Sequence, residues 1–229
     1  MNKKESKTNS GSRPQNPGEA ADLNTLNCLY RQMYESSCVR KCIPFQGTPE
    51  FVFGDGNPAG KLMLVGEAPG KDEVLQERPF VGKAGAILTE FLNSVQIQRG
   101  DIYITNAIKY RLSRPGKRTG TLANRPAAKQ EILMSAPFLI KEICLVRPLL
   151  LVTLGNVPLS CLRCGISLPE LLPKTVGAGH GRLYQIELAE TFTVELVPLY
   201  HPASLIYNPG FAGEYKRDLL FIQELLHCR

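Results

Sequence analysis

The sequence predicts an α/β fold, a three-layer αβα sandwich around a mostly parallel central sheet. Three observations carry this. Short apolar runs at Leu62–Val65 and Leu149–Leu154 have the composition of strands buried on both faces. Each stops at a glycine, Gly66 or Gly155. Stretches of helical periodicity alternate with them, as in sheets covered on both sides. A chain of 229 residues suffices for one such domain.

Residues 1–22 are rich in Lys, Asn, Ser, Gly and Pro. Such a segment buries too little apolar surface to offset its ordering entropy and is expected to be a disordered tail. Residues 23–229 then form a single domain, beginning with a short helix over Leu23–Met33. Phe51–Phe53 reads as a short strand, and Gly54–Pro58 as the turn that delivers the chain into the Lys61 strand. A charged loop leads to a helix over Gly85–Ser94, with Ile87, Leu88, Phe91, Leu92 and Val95 on one face. A strand follows at Ile102–Ile108, then a basic loop. Pro126 opens a long helix, which Pro137 is expected to bend or divide. Leu183–Leu188 and Val194–Leu199 form a strand pair, and Tyr215–Leu226 closes the chain as an amphipathic helix.

The net charge of +6 favours a polyanionic partner. Its location says more than its size. Lys109, Arg111, Arg114, Lys117, Arg118 and Arg125 fall within seventeen residues that contain no acid. Beside a nucleotide pocket these side chains are expected to contact phosphates. No apolar run approaches the roughly 18 residues that span a bilayer, and no secretory signal is visible. The expectation is a cytoplasmic monomer, nucleoid-associated in a bacterium, with no membrane partner. Seven cysteines, an odd number, argue against a disulfide framework.

The chemistry-bearing stretch is Lys61–Gly85, KLMLVGEAPGKDEVLQERPFVGKAG. A strand that empties into a glycine-bearing loop at its carboxyl end is where open α/β sheets bind ligands. GEAPG followed by RPFVGKAG resembles the first motif of the family 4 (iron–sulfur type) uracil-DNA glycosylases. Ile104–Lys109, Asn124–Pro126, Leu154–Gly155 and His201–Leu205 match further motifs in the family's order, so the resemblance covers about residues 38 to 226. It implies an enzyme that flips uracil out of DNA and hydrolyses its N-glycosidic bond, leaving an abasic site for base-excision repair. Two alternatives stand beside it: the same fold acting on another deaminated or damaged base, and a non-catalytic DNA-binding homologue.

The resemblance assigns Phe80 to stacking on the extruded uracil and Asn106 to reading it. An amide offers an acceptor and donors that match uracil N3–H and O4 while mismatching cytosine. His201, in the His-Pro-Ala-Ser-Leu stretch, is suited to donate to uracil O2 as the bond breaks. His180, in a glycine loop, is expected at the surface. Backbone N–H groups around Gly66 to Gly70 are candidates to bind O2. Ala68 occupies the position where other uracil glycosylases carry a water-activating Asp. Glu67 is a candidate to position water or to face the cationic sugar, and Glu73 to flank the uracil C5 edge. Ser204 and Leu205 are expected at the minor groove, with Leu205 either a wedge in the duplex or a core residue.

The family's [4Fe–4S] cluster is held by four cysteines. In this chain the N-terminal pair is Cys38 and Cys42, with three residues between rather than two, and Tyr110 and Ser135 occupy the other two ligand positions. Hydroxyl side chains are poor substitutes for cluster thiolates. The expectation is no cofactor, with Tyr110 and apolar neighbours stabilising the basic loop by packing. Cys161 and Cys164 have ligand-like spacing, but the family places no ligand there. Glu77 replaces the usual glycine and is expected to reshape the pocket mouth.

Overall fold

The computed structural model describes residues 17–36, 50–116, 121–189 and 192–228. Its central sheet contains β1 (Asp55–Gly56), β2 (Leu62–Gly66), β3 (Tyr103–Asn106), β6 (Leu150–Leu154), β7 (Tyr184–Ala189) and β8 (Phe192–Leu199), in the order β1-β3-β2-β6-β8-β7. The four inner strands are mutually parallel, and β1 and β7 flank them as antiparallel edges. A two-stranded antiparallel hairpin, β4 (Ser113–Pro115) with β5 (Leu122–Asn124), stands apart. It occupies the stretch read as a basic loop.

Alternation along β2 shows how the layers form. Met63 and Val65 face one core with Leu139 and Ile143 of α4 (Lys129–Val146) and Leu159 and Leu162 of α5 (Asn156–Gly165). Leu62 and Leu64 face the other, against Leu88 and Leu92 of α3 (Lys83–Ser94) and Leu219 and Ile222 of α7 (Ala212–His227). Every residue of β2 and β6 is buried, which explains their largely apolar composition, interrupted by Thr153 of β6.

Several local expectations change. Helix α1 spans Pro17–Glu35, so residues 17–22, assigned to the tail, are helical. Phe51 makes only an isolated bridge to Tyr110, and the paired edge strand lies at Asp55–Gly56. The charged loop contains a short helix, α2 (Lys71–Gln76), and the stretch after His201 another, α6 (Ser204–Tyr207). Pro126 precedes α4 by three residues, and α4 runs through Pro137 undivided. Cys38, Cys42, Lys117 and Arg118 lie outside the described residues. No helix among the described residues is long and apolar enough to cross a membrane.

A third core joins α1 to α4 and to the segment after β3. Tyr30 and Tyr34, one helical turn apart on α1, both hydrogen-bond Ser135 Oγ, at 3.2 and 3.0 Å. Tyr30 Oη also accepts the Lys109 N–H at 3.0 Å. The Tyr34 ring packs edge-on against Tyr110, 4.7 Å between centroids. The Tyr110 hydroxyl donates to the Glu131 carboxylate, which also takes two hydrogen bonds from the Arg125 guanidinium and one from the Ala128 N–H. Burial raises the Glu131 carboxyl, but Arg125 and Tyr110 outweigh it and hold the net value below the usual range. Arg125, expected at DNA, is instead turned inward. It is 10% exposed, bonds Glu131, and donates through Nε to Ser113 O of β4. Its charge ties the hairpin to the body of the fold.

Glu131→Ala should strand the Arg125 charge and lower stability by about 3 kcal/mol in urea unfolding at neutral pH. The wild-type advantage is full above the ordinary carboxylate pKa and declines as pH falls through the lower folded value. A loss under about 0.5 kcal/mol, the level of a neutral surface substitution, would show that the pair does not anchor the hairpin.

Candidate active site

Three loops leave the carboxyl ends of β2, β3 and β8 on one side of the sheet. The parallel register sets Gly66 level with Asn106. A side chain at Gly66 would overlap both Asn106 Oδ1 and the Phe80 ring. The missing side chain therefore lets the two functional groups meet at the strand ends. Around them lies a cleft of about 340 Å³, lined by Phe80, Asn106 and His201, with Ala68 and Glu73 at its wall. Lys71, Lys83 and Arg111 add positive charge.

Phe80 is 5% exposed and adopts φ = 54°, a conformation rarely tolerated by a bulky residue. The surroundings enforce it. Arg99, partly buried, donates to Pro79 O and, at 2.9 Å, to Phe80 O. A side chain at Gly85 would overlap the Phe80 carbonyl. Glu73 completes the scaffold. Its carboxylate accepts N–H groups from Gly70 at 3.0 Å, Val81 at 3.2 Å and Gly82 at 2.8 Å, joining the loop before α2 to the loop before α3. Glu73 thus acts as a clamp on two loops. The Phe80 and His201 rings lie nearly face to face, 5.8 Å between centroids and 28° between planes.

Asn106 is 2% exposed, and no described residue hydrogen-bonds its side-chain amide. The His201 ring accepts the Ala203 N–H at Nδ1, 3.1 Å, so its proton in the neutral form sits on Nε2. Burial pushes His201 down to about 4, partly opposed by the Glu73 carboxylate. At neutral pH it is a neutral donor.

Other predicted site residues fall less centrally. Glu67 is half-buried and not among the cleft-lining residues, and burial raises its carboxyl. Glu77 lies outside the cleft lining and caps α2 in the left-handed conformation. Ser204 donates its hydroxyl to His201 O at 2.7 Å. Leu205, one candidate wedge, belongs to the core at 7% exposure, while Ile206 and Tyr207 beside it are 46% and 87% exposed. Arg111 is held over the cleft by Asn124 Oδ1 at 3.1 Å and Leu122 O, and Arg114 is exposed on β4. Lys109, grouped with the basic loop, is buried in an ion pair with Glu142. His180, expected at the surface, is partly exposed, pairs with Asp218 at 3.0 Å and packs on Tyr200.

At the two ligand positions that the structure describes, Tyr110 and Ser135, the side chains do not suit an iron–sulfur cluster. Burial raises the Tyr110, Tyr30 and Tyr34 phenols, which keeps them protonated, and Ser135 Oγ is occupied by two of them. Among the described residues no group of His, Cys, Asp or Glu is arranged to hold a metal. Cys161 is buried with its thiol pushed up to about 12, unsuited to ligation, and Cys164 is exposed.

The model of the uracil DNA glycosylase superfamily matches residues 53–222. A type-4 uracil-DNA glycosylase of Archaeoglobus fulgidus is 34% identical over 89% of this chain and 94% of its own length. The chain belongs to the type-4 uracil-DNA glycosylase family. Members from Saccharolobus solfataricus and Pyrobaculum aerophilum are 31% and 35% identical, over 83% and 78% of this chain and 82% and 85% of theirs. Of the residues singled out in the sequence, the fold brings Phe80, Asn106 and His201 together in the cleft; Arg99 and the cleft-facing Lys71 and Lys83 were given no role there, and Asn124 was only part of a motif. The two lysines stood inside the quoted motif. Arg99 had no signal, since its partners are carbonyls 19 and 20 residues away.

In an NMR titration the His201 ring should show no protonation from neutrality down to about pH 5, its folded value being about 4. The unfolded ring takes its proton near 6.5. Stability tied to His201 is therefore complete above that value and is lost as pH falls toward 4. A midpoint near 6.5 in the native protein would contradict the buried neutral ring.

Proposed function

We propose that this protein excises uracil from DNA by hydrolysing the N-glycosidic bond, as a monofunctional glycosylase in base-excision repair. The observation that carries this is the convergence of Phe80, Asn106 and a neutral His201 in one cleft at the strand ends. Uracil extruded from the stack lies against the Phe80 ring. Asn106 Oδ1 accepts from N3–H and its amide donates to O4, a pattern that cytosine reverses.

As the C1′–N1 bond breaks, its electrons move onto the base and charge develops at O2. The Nε2–H of His201 donates to that oxygen, an interaction stronger in the transition state than in the ground state. Water adds its hydroxyl to C1′ and its remaining proton goes to the uracil anion. The products are uracil and an abasic site. Arg111, Arg114, Lys71 and Lys83 contact the phosphates flanking the extruded nucleotide. Ile206 and Tyr207, rather than Leu205, are the apolar groups available to fill the vacated stack. Ser204 holds the His201 loop.

The reaction needs no cofactor. The phenol and hydroxyl side chains at Tyr110 and Ser135 support loss of the [4Fe–4S] cluster, and the aromatic core carries its structural duty. The protein acts as a monomer, one chain supplying the whole cleft.

Uracil-containing oligonucleotides, single-stranded or opposite G or A, should yield alkali-labile abasic sites. His201→Ala should lower kcat about 10²-fold or more while DNA binding persists. Cleavage that survives His201→Ala unchanged would remove His201 from the chemistry; folded protein that binds DNA and releases no uracil would overturn the activity. Neutralising Arg111 and Arg114 together should weaken binding to all sequences and reduce the salt slope by about 2. An unchanged slope would take the hairpin out of the interface. Purified active protein should carry no iron, and stoichiometric iron with the visible absorbance of a cluster would reverse that part of the reading.

A further inference from the structure

We propose that Lys109 and Glu142 are positioning residues for Asn106, holding the backbone from which the base is read. The inference rests on the reading of Asn106 given above. Both charged groups are buried, at 3% and 1% exposure, directly behind the end of β3. Lys109 Nζ donates to Glu142 Oε2 at 2.6 Å, to Thr105 Oγ1 at 2.6 Å and to the Asn106 carbonyl at 2.7 Å. An ammonium has three donors, and all are used. Glu142 Oε1 in turn accepts from the Tyr103 and Thr105 hydroxyls, each at 3.0 Å. The network is fully satisfied, as a buried charge pair must be.

The sheet explains why a lysine is needed there. The Ala107 N–H points to β2 and bonds Gly66 O at 2.9 Å. That N–H and the Asn106 carbonyl belong to one trans peptide group and point in opposite directions, so the carbonyl points away from β2, toward the side of β1. But β1 pairs only with Tyr103 and Ile104 and has ended before Asn106 is reached. A buried carbonyl without a partner is costly, and the Lys109 ammonium supplies the partner that the sheet lacks. Asn106 is then fixed from both sides, by β2 on one and by the ammonium on the other.

For stability alone, two well-packed apolar side chains would serve as well as this ion pair. What they would not supply is the bond to the Asn106 carbonyl. The amide of Asn106 has no hydrogen bond of its own from the described residues, so its aim depends on the backbone beneath it. The ion pair therefore acts on uracil recognition, without touching the base.

The test compares wild type with Lys109→Met/Glu142→Leu, which removes both charges and keeps the bulk. Inhibition by free uracil and KM for uracil-containing DNA are measured beside kcat and thermal melting. The double variant should fold but melt below wild type, because the Asn106 carbonyl loses its partner. The uracil inhibition constant and KM should rise together about tenfold, the worth of one hydrogen bond, with kcat changed far less. Tyr103→Phe, which trims the same network on the side away from Asn106, should lower the melting temperature and leave uracil inhibition alone. Should the double variant not fold, Thr105→Val leaves the ion pair but loosens it, and should shift uracil inhibition in the same direction by a smaller factor. A folded variant with wild-type uracil inhibition overturns the proposal, as does an equal effect from Tyr103→Phe. Asn106→Ala runs alongside: if it leaves uracil inhibition unchanged, the reading of Asn106 itself fails and takes the inference with it. If it weakens inhibition while the Lys109 variants do not, only the positioning role fails.

Discussion

The site depends on one constraint, the parallel register that sets Gly66 beside Asn106. Parallel strands carry their loops out at one end of the sheet, so neighbouring carboxyl ends bring distant segments together without further design. At this end a side chain on Gly66 would occupy the space taken by Asn106 and Phe80. Everything else in the cleft adjusts to that contact. Arg99 and Glu73 hold the Phe80 loop in a backbone conformation it would not adopt alone, and the loop after β8 brings His201 against the Phe80 ring.

The electrostatic organisation separates two kinds of cation that look alike in the sequence. Lys109 and Arg125 neutralise buried carboxylates and face inward, while Arg111 and Arg114 face the cleft and the solvent. The inward pair fixes the segments that carry the outward pair. A basic cluster read only as net charge would therefore overstate the surface available to a polyanion. The same economy governs His201, where removal from water, rather than a charged partner, sets the protonation state.

What the sequence revealed follows from how local each signal was. Apolar runs ending in glycine marked β2 and β6 because burial on both faces strongly favours apolar residues, Thr153 being the exception. Phe80, Asn106 and His201 were legible because each sits in a short motif at a strand end. The inward turn of Lys109 was not, since Glu142 lies 33 residues away and a lysine beside arginines reads as surface. Leu205 could be read as wedge or core, and only packing against the α3–α7 layer decides it. Pro137 pointed to a bend or a division of α4, and the helix runs through it undivided. Short helices such as α2 and α6 carry too few turns for periodicity to show.

The tyrosine-lined joint between α1 and α4 has one more consequence. Thiolate-bound iron is dismantled by oxidants and must be delivered to the folding chain. At Tyr110 and Ser135 there is no sulfur to oxidise, and phenols and a serine hydroxyl form their bonds as soon as the helices meet. The bonds made by these two side chains need neither iron nor protection from oxygen to form.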